Sequence, residues 1–180
     1  MIFQTNLKFS IVLLLLLSSA KFIFSQENEY SYSTGDSLLN AALDIIEVTQ
    51  YCALITTGSE GEIHVRTMDP FLPEKDMTIW FGTNKNSRKV LEIKKNPNVT
   101  LYYADPDGAG YVVLSGNAQL IDDLAEKEKR FKEEWKQFYP ENRANYMLIK
   151  FTLEKMEVLN FRLGISSDPE TWRVPVWESK

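Results

Sequence analysis

Residues 80–99 read Trp-Phe-Gly-Thr-Asn-Lys-Asn-Ser-Arg-Lys-Val-Leu-Glu-Ile-Lys-Lys-Asn-Pro-Asn-Val. The stretch predicts a strand from Met77 to Gly82, a polar turn, and a short helix capped by Asn86 or Ser87 that runs to about Asn96. Asn96-Pro97 stops the helix, because proline pushes the residue before it out of the α region. A strand from Val99 to Ala104 follows. The passage from strand through turn to helix has the physics of an anion site. Free backbone N–H groups and the positive end of the helix dipole lie beside the Thr83 and Ser87 hydroxyls and the Arg88 and Lys89 cations. Taken alone, it fits a surface helix with an ordinary Ser cap equally well. Arg66, on a neighbouring strand, tilts the balance toward a ligand.

Upstream, Leu38, Leu39, Ala42, Ile45, Ile46 and Thr49 recur at helical spacing within Asp36–Gln50, with Thr34 or Asp36 as candidate caps. Tyr51–Thr57 and Glu62–Met68 then read as a hairpin around the turn Gly58-Ser59-Glu60-Gly61. Strand side chains alternate, so Ile63, Val65 and Thr67 point one way, and Glu62, His64, Arg66 and Met68 the other. The first set is expected in the core; the second faces chemistry or solvent.

Downstream, Val99–Ala104 and Tyr111–Leu120 flank the turn Asp105-Pro106-Asp107-Gly108. Asp122 is expected to cap a charged helix reaching about Tyr139. Its apolar stripe would be Leu124, Phe131, Trp135 and Phe138, its i,i+4 pairs Glu126–Arg130 and Glu128–Lys132, and Pro140 would end it. Tyr146–Phe161 reads as a long last strand, bulged near Lys155. Five or six mostly antiparallel strands interrupted by helices imply a mainly β protein, a closed or split barrel.

At 180 residues the chain is the length of one domain. Residues 1–26 read as a secretory signal: Lys8 precedes the apolar run Ile11–Leu17, small residues follow, and the bond after Ser25 suits cleavage. An uncleaved anchor is the competing reading, although the run is short for a span. Residues 27–180 would then form the single domain of an exported protein without a stable membrane span. Removing Lys8 and Lys21 would take the net charge from −5 to −7, which argues against nucleic acid as a partner. Cys52, in an apolar strand, reads as a small buried hydrophobe. One His and one Cys offer no metal-ligand cluster and no Cys-His or Ser-His-Asp arrangement.

Arg66-Thr67-Met68, Phe81-Gly82-Thr83, Ser87-Arg88-Lys89, Ile93, Asn96-Pro97 and the Val99 strand together resemble the flavin-mononucleotide (FMN)-binding split barrel of the pyridoxamine 5′-phosphate oxidase-like family, in its shorter general-stress-protein branch. The resemblance covers roughly residues 40–160. It implies a Greek-key split barrel, a homodimer with FMN in the groove between the two copies, and a small-molecule substrate. By the same resemblance, Arg66, Ser87, Arg88 and Lys89 would hold the flavin phosphate. The Thr67–Met68 backbone and Gly82–Thr83 would approach the ribityl chain and ring, and Tyr111 would supply a polar contact.

The tail from Gly164 to Lys180 departs from the pyridoxamine phosphate oxidases proper. It offers Trp172, Arg173 and Trp177, whereas those enzymes grip the substrate phosphate with a segment rich in Arg, His and Trp. Vitamin B6 oxidation is therefore not expected, and the two tryptophans read either as tail residues packed on the barrel or as a cover for a ring. His64 is either close to the flavin or an ordinary strand histidine. Three functions stay open: a flavin-dependent oxidoreductase, a non-catalytic module holding flavin, haem or deazaflavin, and a dimeric module without cofactor.

Overall fold

The computed structural model describes residues 37–139 and 144–179, all within the compact unit Thr34–Lys180. The signal expected at 1–26, the caps Thr34 and Asp36, and Pro140 lie outside the described residues. The elements are α1 (Ser37–Val48), β1 (Cys52–Thr57), β2 (Ile63–Met68), β3 (Ile79–Asn84), α2 (Arg88–Lys95), β4 (Asn98–Ala104), β5 (Gly110–Ile121), α3 (Leu124–Lys129), β6 (Tyr146–Asn160) and β7 (Val176–Glu178). Short 3-10 turns occupy Glu133–Gln137 and Phe161–Leu163.

The sheet runs β2-β1-β4-β5-β6-β3, antiparallel throughout, with β7 added to β6. One rung of this ladder passes through Arg66, Leu54, Leu101, Leu114 and Met156. The last four are fully buried, so Arg66 ends a row of core side chains. No ladder joins β2 to β3 among the described residues; the circle is closed by an isolated bridge from Pro70, just after β2, to Phe81 of β3, which makes the barrel a split one. Helix α1 buries Ala41, Ala42, Leu43, Ile45 and Ile46. It is tied to the end of β6, where Asn160 Nδ2 donates to Ala41 O at 2.9 Å and to Asp44 Oδ2 at 2.8 Å.

The bulge expected near Lys155 is present: Ser115 pairs with Lys155 and Gly116 with Leu153, leaving Glu154 as the extra residue. Other expectations are corrected. In β2 the buried and open faces are exchanged, with Ile63 63% and Val65 60% exposed while His64, Arg66 and Met68 point inward. The hairpin register is the reason, since it sets Thr56, Leu54 and Cys52, all buried, opposite His64, Arg66 and Met68. Strand β3 starts two residues late, after a turn in which Met77 takes φ 62° and Asp76 Oδ1 accepts from Thr78 N. Thr83 therefore belongs to the strand.

The helix expected over 122–139 breaks into α3 and the 3-10 turn, and its cap is Asp123, which accepts from Glu126 N at 3.0 Å. Tertiary contacts cause the break. Arg130 is buried, lies 3.8 Å over the Trp80 ring and bonds Glu74 and Glu126, while Lys132 turns to Asp69 at 2.6 Å instead of Glu128. Leu124 and Phe138 are left exposed, and of the expected stripe Trp135 is the one buried. Among the described residues no helix is long and apolar enough to cross a membrane.

Candidate functional site

Three elements converge beside the open seam of the barrel: β2 brings Arg66 and His64, β3 brings Thr83, and the start of α2 brings Ser87, Arg88, Lys89 and Glu92. Lys89 Nζ donates to Thr83 Oγ1 at 3.0 Å and to Ser87 Oγ at 3.3 Å, and the two hydroxyls are 3.3 Å apart. Ser87 occupies the N-cap position with φ −75° and ψ 151°, yet its side chain makes no capping bond. This corrects the ordinary-cap reading, because the hydroxyl faces Lys89 and Thr83 instead of the helix. Lys89 has no carboxylate partner among the described residues. Burial, and then the charges of Arg66 and Arg88, pull its ammonium below the ordinary lysine value, and Glu92 offsets part of that shift.

Glu92 was missed by the sequence reading. It is 5% exposed and collects four groups. Oε2 accepts from the Thr56 hydroxyl at 2.5 Å and from Arg66 Nη2 at 2.9 Å; Oε1 lies 2.6 Å from His64 Nδ1 and 3.1 Å from Arg88 Nε. Burial by itself would raise the Glu92 carboxyl, but the Thr56 hydroxyl and the Arg66 and His64 charges outweigh it and hold the group below the ordinary value. The i,i+4 spacing of Arg88 and Glu92 was the available signal; the approach of β2 to the same carboxylate was not visible along the chain. Arg66 is anchored a second time, its Nη1 donating to Leu54 O at 3.2 Å and Thr56 Oγ1 at 2.6 Å. A cleft of about 240 Å³ opens between the 58–61 turn and α2, with His64, Arg88, Glu92 and Lys95 in its wall.

The structure thus brings Arg66, Thr83, Ser87, Arg88 and Lys89 together. Thr67 turns to the opposite, solvent face of β2 and Met68 into the core, while β2, as an edge strand, leaves one side of their backbone without a strand partner. Gly82 faces the 3-10 turn: a Cβ there would lie 2.3 Å from the Trp135 ring and 2.7 Å from Tyr146. Tyr111 stands on the outer sheet face against Tyr102, ring centroids 5.7 Å apart, and bonds no member of the cluster. Trp177 pairs with Met156 through β7, whereas Trp172 is 78% exposed. Cys52 is buried as expected, and burial pushes its thiol up to about 12. A wider groove of about 490 Å³ beside Trp80 contains Arg130 and Lys132, but both already bond carboxylates.

The chain is thus of the split-barrel class, with cations and hydroxyls gathered at a helix start beside the seam. Residues 39–162 match the family model "Pyridoxamine 5'-phosphate oxidase like", and the chain belongs to that family. It is 25% identical over 122 residues to General stress protein 26 of Bacillus subtilis (strain 168), covering 66% of this chain and 85% of that one. The fold is shared with a solved Clostridium acetobutylicum protein described as related to general stress protein 26 (TM-score 0.65, 20% identity, 78% of this chain and 94% of that one). It is shared also with a pyridoxamine 5'-phosphate oxidase-related, FMN binding protein of Nostoc punctiforme PCC 73102 (TM-score 0.57, 16% identity, 83% and 99%). The same architecture carries a haem binding protein of Mycobacterium smegmatis (TM-score 0.59, 14% identity, 81% and 59%).

Proposed function

We propose that this chain is an FMN-binding protein whose phosphate site is Lys89, Ser87, Thr83, Arg66 and Arg88, and that it serves as a flavin-dependent oxidoreductase on a small-molecule substrate. The observation that carries the reading is Lys89: a half-buried ammonium, held between two hydroxyls and flanked by arginines, with no carboxylate paired to it among the described residues. A buried charge without a counter-ion costs stability unless a ligand supplies one. A phosphate monoester, with close to two negative charges at neutral pH and three acceptor oxygens, suits such a donor set. Bound flavin would supply hydride and electron chemistry. The chain's own residues would fix its phosphate and orient it along β2 and β3.

The flavin is proposed to lie at the contact of two copies. The outer face of β2, β1, β4 and β5 is consistent with this, since it exposes Ile63 and Val65 and carries Ile55, Val113 and the tilted Tyr102–Tyr111 pair. The segment 1–26 is proposed to carry an export signal cleaved after Ser25, which N-terminal sequencing of the natural protein would support by finding Gln26 first and refute by finding Met1.

The test is a paired fluorescence titration with FMN and riboflavin, which differ only in the phosphate. The wild type is expected to prefer FMN, and Lys89→Met to lose about 1–3 kcal/mol of FMN binding with riboflavin binding unchanged. Equal binding of both flavins by the wild type would sink the reading. A second reading, a cofactor-holding module without turnover, is favoured by the tail, where Trp172 is solvent-exposed and residues 164–179 offer Arg173 but no histidine. Rapid reduction of bound flavin by a nicotinamide donor would count against it; a Soret band in protein from the natural source would replace flavin with haem.

A further inference from the structure

Glu92 is a costly residue to place on α2, whose core contacts come from Val90 and Ile93. A buried carboxylate must be repaid by partners, and Glu92 draws two of its partners from the cations of the anion site, Arg66 on one oxygen and Arg88 on the other, beside the His64 imidazole. Its function is not simply to hold Arg66 in place. The Arg66 guanidinium keeps a further bond, to Leu54 O, that does not pass through Glu92. What depends on Glu92 is the charge. Arg66, Arg88 and Lys89 contribute three positive charges and Glu92 one negative, leaving a net of two, the charge of a fully ionised phosphate monoester.

We propose that Glu92 is the internal counter-ion of the anion site: it offsets one of the charges of Arg66 and Arg88 when no ligand is bound, competes with an arriving anion for them, and so sets how much negative charge the site accepts. The inference rests on the phosphate reading above only in locating the anion beside Lys89. It makes Glu92 a specificity-determining residue. Removing its charge should tighten anion binding, because the cations then repel one another until an anion arrives, whereas a residue needed only to aim Arg66 would weaken binding when removed.

The probe is inorganic sulfate, which keeps both charges from neutral into acid pH. Thermal melts of the full chain at constant ionic strength, sodium chloride replacing sulfate, give the sulfate affinity of the wild type and of Glu92→Gln. Sulfate is expected to bind Glu92→Gln about tenfold more tightly, a modest share of the Coulomb energy of a unit charge a few ångströms away. Equal or weaker binding overturns the proposal. Should Glu92→Gln fail to fold, the wild type answers by itself: coupling is reciprocal, so saturating sulfate must raise the pH midpoint of the Glu92 carboxyl read by carbon NMR. An unchanged or lowered midpoint overturns it equally. Loss of the FMN preference over riboflavin in the wild type would remove the flavin and leave the sulfate result to decide the counter-ion by itself.

Discussion

Lys89 shows how a site for an anion is written into the stability of the ligand-free protein. Its folded-state pKa lies below the ordinary lysine value of 10.5, so between those two values the unfolded chain binds more protons than the folded one. Stability contributed by this residue is therefore negative at neutral pH and recovers as pH rises through the lowered value toward 10.5. Lys89→Met, which keeps length and loses charge, should raise the melting temperature of the flavin-free protein at pH 7 by about 3 °C. The gap from wild type should narrow by pH 10, as differential scanning calorimetry at the two pH values would read. A constant gap would mean that packing, not charge, separates the two proteins. The same substitution is the one expected to lose FMN, an instance of stability and binding pulling one residue in opposite directions.

Among the elements, β3 and the segment after α3 depend on each other through a missing side chain. Gly82 leaves room for the Trp135 ring, which packs with Tyr146, Trp80 and Leu148 in a second small core outside the barrel. That core draws in Phe131, whose ring meets Trp135 and Tyr146 edge-on at 6.3 and 5.3 Å. Gly82→Ala should push Trp135 outward and cost about 1–3 kcal/mol, the usual scale of overpacking. A lower urea midpoint together with red-shifted tryptophan emission would be the sign. If instead stability holds and flavin affinity drops, Gly82 serves close approach to the ligand, as the family resemblance implies.

At the scale of the molecule, the question is what covers the outer sheet face. Ile63 and Val65 sit there because the hairpin register turns Arg66 and His64 inward, so the charged interior and the apolar exterior of β2 are two results of one alternation. An apolar face on an edge strand invites a partner, and a second copy would place the same face against itself. Val65→Glu leaves the buried face untouched and should convert the proposed dimer to a folded monomer in sedimentation. It should also weaken FMN binding if the flavin needs both copies. A wild type that sediments as a monomer at micromolar concentration would end the dimer proposal.

Much of this molecule could be read along the chain. The spans of β1, β2, β4, β5 and β6, the opening helix, the bulge beside Lys155 and the gathering of Thr83, Ser87, Arg88 and Lys89 follow from alternation, helical spacing and turn residues, which depend on neighbours a few positions away, whereas the start of β3 and the short β7 did not. The choice of buried face in β2, the break after α3, the space at Gly82 and the carboxylate at the centre of the cations did not follow. Each was decided by groups distant in sequence: Glu92 lies 26 residues from Arg66, and Lys132 finds Asp69 across 63. Local pattern tells which residues can share a face; only the packed sheet decides which face is inside, because burying a charge is allowed only where the fold delivers its partner.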